Sequence, residues 1–399
     1  MAEGEKILKT KLLSKNIIFL SIVSFLNDIS SEMVYPVVPI FLTSALGVPA
    51  SIIGIVEGIA DASSKILMSI TGFVSDNLHK RKLFVTAGYG FSAISHLTMA
   101  LSTSWPLVLL SRVLNRSGKG LRTSARDALI AESTKKENRG LSFGIHRTMD
   151  GLGGVLGPLL SIGLLYFFSH NYKLIFLLAF IPALLGAIIV YLFVKDNKKK
   201  KDDDFSMRFE WKKTSLAFKI FLIISFIFAI GNSSDAFLIL RSQNLGMSVS
   251  LTIFAYVVYN LVSSLFSIPA GILADRIGPK RVIFSGFLVF SLVYFLFAVA
   301  KSKEIVWLLF PLYGFFMGLT EGVSKSYVSK LVPHEISGSA FGIYQTVMGI
   351  ATLIASSIAG WLWSSYGPST PFYFGSAMAV MAAILFLGLS KKLRVAQVF

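Results

Sequence analysis

The 399-residue chain contains no cysteine, which excludes disulfide staples and thiolate metal sites. It has only five histidines, and no Ser/His/Asp or His-Glu-x-x-His grouping stands out. Neither hydrolytic nor metal-assisted catalysis has residues to carry it, so no enzyme, no metal and no cofactor is expected. There is no Gly-x-x-x-x-Gly-Lys-Ser/Thr loop: Gly118, Lys119 and Gly120 lack the upstream glycine and fall inside an apolar segment, which argues against ATP as a driving force. Charge is scarce too. The longest polar stretch, around residues 196–213, is too short for a separate soluble domain.

What is present is apolar length. Hydrophobic residues make up 54% of the chain and recur in runs of about 20, each sufficient to cross a bilayer. Twelve spans are expected, near residues 16–43, 50–75, 83–103, 105–130, 141–168 and 172–194, then 215–241, 250–275, 281–300, 304–331, 340–364 and 370–390. Residues 17–42 are too long for a signal peptide and carry no Ala-x-Ala-like cleavage site, so they read as a retained first span. The expected organisation is a six-helix bundle over 1–194, a cytoplasmic linker over 195–213, and a second six-helix bundle with a short cytoplasmic tail over 214–399.

The formal charge of +17 raises nucleic acid as a partner, but its location dismisses it. Lys6, Lys9, Lys11 and Lys15 precede span 1, and Lys80 to Lys82, Lys135 and Lys136, Lys198 to Lys201, Lys280 and Arg281, and Lys391 and Lys392 follow alternate spans. The loops between, such as 43–49 and 367–370, are nearly uncharged. This positive-inside pattern places both termini and the linker in the cytoplasm, with the lipid bilayer of the plasma (inner) membrane as the partner.

The two halves repeat at an offset near 200 residues. Residues 137–148 align with 335–346, Gly72 and Asp76 with Gly271 and Asp275, and Ser30, Ser31 and Glu32 in span 1 face Ser233, Ser234 and Asp235 in span 7. Duplicated six-helix halves place a binding site near the bilayer midplane and rock about it.

Several motifs carry a family resemblance covering nearly the whole chain. Gly72, Asp76, Lys80 and Arg81, and again Gly271, Asp275, Arg276 and Arg281, resemble the cytoplasmic loop signature of the major facilitator superfamily. Tyr35, Pro36 and Pro39 resemble the span 1 signature of its twelve-span exporters, and Arg112 resembles its span 4 arginine. Gly144, Gly153, Gly157 and Pro158 match the spacing of its span 5 antiporter signature, with Ser161 and Ile162 where the closing glycines are expected. Asn115 and Arg116 depart from the glutamine and glycine usual in span 4, which counts against a generic lipophilic-cation pump. The resemblance implies an all-α integral membrane protein: twelve transmembrane helices in two pseudo-symmetric six-helix bundles, the major facilitator fold. It further implies a small-molecule substrate, protons as the coupling ion and function as a monomer. A loop carboxylate beside several cations also suits a gate, since it forms charge contacts in one state and loses them in another.

Ionisable residues inside spans cost roughly 2.5–3.5 kcal/mol each on insertion scales, so they face cavities and partners. Asp28 and Glu32 in span 1, Glu57, Asp61 and Lys65 in span 2, and His146 and Asp150 in span 5 are each spaced by four and share a helical face. Arg112, Arg116, Lys119, Arg122 and Arg126 form a basic stripe along span 4. The expected picture is a polar cavity in the first half in which these cations neutralise Asp28, Glu32, Glu57, Asp61 and Asp150. The plainer alternative is a salt-bridge network that only fixes helix packing. Candidates for proton coupling are Asp28, Glu32, Asp61, His146 and Asp150. Candidates for substrate contact are Arg112, Arg116 and Glu57 in the first half, and Asn232, Asp235, Tyr256, Tyr259, Asn260, Glu321, Tyr344 and Gln345 in the second, with Tyr313 as a further source of hydrogen bonds and aromatic wall.

The function these features favour is proton-coupled antiport, exporting a small organic or drug-like molecule by alternating access. One alternative is a symporter of an organic anion held by the span 4 stripe. Another, from a different class, is a membrane receptor that transports nothing.

Overall fold

A computed structural model describes residues 14–78, 80–135, 138–168, 171–196, 214–333, 336–389 and 393. Most of the linker, the cationic residues Lys6, Lys9, Lys11, Lys136, Lys391 and Lys392, the C-terminal tail and the side chain of Asp76 lie outside the described residues. Within them the secondary structure is helical, in the twelve segments that the apolar runs predict.

Span 1 is Lys15–Val34, continued by a helical turn at Val38–Ile40 and a wider turn at Phe41–Ala45. Spans 2 to 6 are Ala50–Leu78, Arg81–Ala100, Trp105–Glu132, Arg139–Phe167 and Tyr172–Phe193. Span 7 is split into Leu216–Gly231 and Ala236–Asn244. Spans 8 to 12 are Val249–Ile277, Pro279–Val299, Val306–Lys330, Ser337–Tyr366 and Thr370–Gly388. Nine of these, among the described residues, are long and apolar enough to cross a membrane; spans 2, 3 and 4 fall short, spans 2 and 4 through the charges already named. Large apolar side chains such as Leu265, Ile268 and Ile384 are exposed along the helices, as lipid contact requires.

Local chemistry sets the helix ends. Ser14, Ser215 and Ser248 accept hydrogen bonds from the backbone N–H three residues on, capping spans 1, 7 and 8. Spans 4, 9 and 12 each carry proline in their first two positions, where its missing N–H costs nothing. Pro36 breaks span 1 because it cannot donate into the helix ladder. The break in span 7 has another cause: a Gly-Asn-Ser-Ser-Asp run offers the backbone competing partners. Ser234 Oγ accepts from the Ala236 N–H (3.3 Å), while the Ser234 N–H donates to Ser356 Oγ (3.1 Å).

The chain packs as two compact units. The first holds span 1 to Tyr35, span 2 from Leu67, and spans 3 to 6; the second holds residues 36–66 and spans 7 to 12. In the first, span 1 packs on spans 5 and 6, and span 3 on spans 4 and 6. In the second, span 7 packs on spans 11 and 12, and span 9 on spans 10 and 12, repeating the same partner scheme. The start of each half is tied to its fourth helix: Asn16 Nδ2 donates to Ser133 Oγ (3.0 Å), and Ser215 Oγ–H donates to the Leu331 carbonyl (2.6 Å).

Arg241, in the last turn of span 7, is wholly engaged in holding the second unit. Its guanidinium donates to the carbonyls of Phe297 (3.1 Å), Ala298 (3.4 Å) and Ala300 (2.9 Å) and to Asn244 Oδ1 (2.6 Å), capping the end of span 9. Arg241→Ala therefore leaves buried carbonyls without donors and is expected to cost about 3 kcal/mol. A thermal melt in detergent should show the loss, and Arg241→Lys should recover only part of it, because an ammonium cannot span four acceptors.

Candidate functional site

In the first unit, the ionisable residues of spans 1, 4 and 5 converge. Small residues make this possible. A Cβ built on Gly153 would lie 2.7 Å from the Phe25 carbonyl oxygen and 2.9 Å from Asp28 Cβ; one on Gly157 would lie 2.6 Å from the Ile29 oxygen and 3.0 Å from Glu32 Cβ. One turn further, Ser161 Oγ–H donates to the Met33 carbonyl (2.6 Å). Spans 1 and 5 thus touch backbone to backbone at the level of the two carboxylates. Gly144 meets nothing within 4 Å and takes no part in this seam.

Asp28 accepts from Asn27 Nδ2 (3.4 Å) and lies within electrostatic reach of Asp150, Lys119, Arg122 and Glu32. Asp28 and Glu32 are half-buried, and Lys119, which acts on both, has an exposed side chain. His146, buried in span 5, sits 3.6 Å from the Asp150 carboxylate.

The span 4 stripe divides its contacts. Arg112 and Arg116 both lie over the Tyr35 ring, each 5.1 Å from its centre. Arg122 turns into span 3, donating to Ser92 Oγ (2.8 Å) and stacking on Tyr89 at 4.8 Å. Arg126 reaches Ser24 Oγ (3.1 Å) and pairs with its neighbour Asp127 (3.0 Å). The sequence pattern placed these cations on one face without showing that Tyr35 collects two of them.

A second cluster forms in the second unit, around the break in span 7. Asp235 occupies the cap position before Ala236–Asn244, yet its carboxylate makes no capping bond there. It accepts instead from Tyr313 O–H (2.7 Å) and Tyr259 O–H (3.2 Å). Tyr256 lies beside Tyr259 with ring centres 5.4 Å apart, and Asn232 Oδ1 is 3.5 Å from the Tyr313 hydroxyl. Tyr313 had no stronger sequence signal than any other tyrosine in an apolar helix.

Glu57, only 1% exposed, belongs to this unit, and Ser234 Oγ lies 3.5 Å from its carboxylate. Asp61 falls in the same unit as Glu57. The reason is close packing of span 2 on span 11: a Cβ on Gly360 would stand 2.5 Å from the Ala50 oxygen, and Gly54 abuts the Ser356 carbonyl.

The remaining candidates scatter. Tyr344 stacks on Phe221 (6.1 Å) in an aromatic core with Tyr327 and Phe386, and Gln345 is buried on the same helix. Asn260 Nδ2 is buried without a hydrogen-bond partner among the described residues. Glu321 pairs with Lys325 at the exposed surface (2.8 Å). Of the loop signature, Arg81 bridges to Glu132 at the end of span 4 (3.2 Å) and Asp275 to Lys330 at the end of span 10 (3.4 Å). Gly72 packs against Ser124, Gly271 meets nothing within 4 Å, and Lys80, Arg276 and Arg281 are exposed.

The model of the Major Facilitator Superfamily matches residues 20–239 and 220–398. The chain belongs to this superfamily. An uncharacterized MFS-type transporter of Methanocaldococcus jannaschii is 39% identical over 381 residues, covering 94% of this chain and 95% of the relative. The multi-drug resistance efflux pump PmrA of Streptococcus pneumoniae is 24% identical over 380 residues, covering 91% and 92%. Among solved structures, a point mutant of the nucleoside transporter NupG superposes with a TM-score of 0.78 at 14% identity, covering 94% of this chain and 99% of that one; at that identity the likeness is one of fold. This major facilitator protein is thus a multi-pass integral membrane transporter of the twelve-helix fold, and not an enzyme.

Proposed function

We propose that the protein is a proton-coupled antiporter, exporting a small organic molecule across the plasma membrane by alternating access, with both termini and the linker in the cytoplasm. The observation that carries this reading is the seam in the first unit, where Gly153 and Gly157 press span 5 onto span 1 beside Asp28 and Glu32. A carboxylate set among Lys119, Arg122 and a second carboxylate has an electrostatic balance that changes when the helices around it move. Asp28 and Glu32 then carry the proton, with Asp150 and its partner His146 in the same network; Asp61 remains a further candidate. The basic loop residues support the orientation, and the likeness to PmrA supports export.

The test is flux in proteoliposomes under an imposed pH gradient, offering a lipophilic cation, a zwitterion and an organic anion. Gradient-driven movement of one class supports the reading. Movement that ignores the gradient, or no movement of any class by folded protein, removes it.

A second reading, symport of an organic anion, is favoured by one observation: Arg112 and Arg116 share the Tyr35 face. If that pair binds substrate, Arg112→Ala should raise the half-saturating concentration of an anionic substrate by at least about tenfold, the worth of a charge-assisted hydrogen bond. Under the antiport reading, Arg112→Ala leaves the apparent affinity for a cation within about twofold.

A further inference from the structure

We propose that the corner of the first unit where spans 1 and 3 begin and span 6 ends is a binding site for an anionic phospholipid, its phosphate held by Lys82. The site lies wholly within that unit, and it stands whatever solute the protein moves and whatever drives the movement. Three contacts assemble it. Asn16, at the start of span 1, donates to the Lys195 carbonyl (2.9 Å) and accepts from the Lys195 N–H (3.1 Å), which holds the chain leaving span 6 against span 1. One residue on, Asp196 Oδ1 accepts from the Lys82 N–H (2.8 Å) in the first turn of span 3. Phe19 of span 1 stacks on Phe193 of span 6, with ring centres 4.9 Å apart.

The use made of Asp196 decides the charge of this corner. Span 3 has Lys80 in its cap position, a side chain with no acceptor to offer the free N–H groups of the first turn. Asp196 supplies that acceptor from the chain beyond span 6, so its carboxylate is committed to backbone and makes no ion pair among the described residues. Glu132, at the end of span 4, is engaged by Arg81 (3.2 Å). Lys82 is left without a carboxylate partner among the described residues, and its ammonium rests over the Tyr191 ring, 5.7 Å from the centre. A ring quadrupole orients a cation without cancelling its charge. Lys15, Lys80 and Lys195 are exposed at the same helix ends and add to the positive field.

The apolar side of the corner selects a lipid over a soluble anion. Tyr191 and Leu83 are 67% and 59% exposed, and Leu192, Phe193 and Ile18 are exposed at the same helix ends. On an integral membrane protein that surface meets acyl chains, with the tyrosine at the level of the headgroups. A ligand that answers both an oriented ammonium and the apolar face beside it carries a negative headgroup on hydrocarbon tails, as in the basic pockets between transmembrane helices that hold anionic lipids. A soluble phosphate can make only the first of these contacts.

The experiment is native mass spectrometry of the delipidated full-length protein, titrated with dioleoylphosphatidylglycerol or dioleoylphosphatidylcholine, which carry the same tails on headgroups with and without net negative charge. Tighter binding of the phosphatidylglycerol is expected. Lys82→Ala should weaken it by about fivefold, the worth of one basic residue at an anionic headgroup. Lys173→Ala, which removes an exposed cation at the opposite end of span 6, should leave it unchanged. Asp196→Asn keeps an acceptor for the Lys82 N–H and removes a negative charge from the corner, so it should tighten binding by about twofold to fivefold. A residue that merely ties helix ends together would not have that effect. Lys82→Arg, which preserves the charge, should bind within about twofold of the parent, and equal melting temperatures establish that the variants fold. Equal binding of the two lipids, phosphatidylglycerol binding unchanged in Lys82→Ala, or an equal loss in Lys173→Ala overturns the proposal. Displacement of phosphatidylglycerol by inorganic phosphate or glycerol 3-phosphate, which carry the anion without the tails, makes this a site for soluble anions and overturns it too.

Discussion

Gly157→Val is expected to abolish transport and to lower the melting temperature in detergent more than any other single change in span 5. A Cβ at this position would meet the Ile29 carbonyl oxygen at 2.6 Å and the Met33 nitrogen at 2.9 Å, both backbone atoms that cannot swing aside. Spans 1 and 5 must part to accept it, which also stretches the Ser161–Met33 hydrogen bond. Overpacking of this kind costs about 1–3 kcal/mol, and more where backbone atoms are met. Gly153→Val should behave similarly, because the Phe25 oxygen stands 2.7 Å from its Cβ. The control is Gly154→Val, one residue away, where nothing lies within 4 Å; it should transport and melt like the parent apart from a small helix-propensity effect. Transport by Gly157→Val at the parent's rate would show that the seam neither closes nor matters.

The second large effect is expected at Asp28. Asp28→Asn keeps the shape and the Asn27 neighbour but removes the charge that Lys119 and Arg122 face. Gradient-driven accumulation should fall by at least about 100-fold, while facilitated equilibration of substrate down its own gradient persists, because only the exchangeable proton is lost. Glu32→Gln, four residues along the same face, should give a smaller loss, since Asp28 retains its cations. Comparing accumulation with equilibration separates a coupling residue from one that merely holds the helices together, which would diminish both.

Much of the fold was legible in the sequence because its signals are local. Apolar runs of bilayer length gave the twelve spans, and their observed ends lie within a few residues of those expected. The repeat at an offset near 200 residues reappears as matching packing partners in the two units. The seam at Gly153 and Gly157 was readable as a close-contact pattern, but its partner carbonyls on span 1 were not, since spacing shows which residues share a face and not what that face meets. Three other features needed three dimensions. The break in span 7 was hidden because its flanks are strongly apolar. Tyr35 gathers Arg112 and Arg116 from another helix. Glu57 is drawn beside Ser234 by the glycines that dock span 2 on span 11, so equal spacing in spans 1 and 2 led to carboxylates in different units.

Proton coupling is tested most directly by internal pH in proteoliposomes loaded with ethidium and diluted into ethidium-free buffer, read with a trapped pH dye against protein-free liposomes. Antiport predicts that ethidium leaving drives protons inward, so the interior acidifies above the control with the parent protein and not with Asp28→Asn. Ethidium efflux with no protein-dependent pH change, or with alkalinisation of the interior, would contradict it.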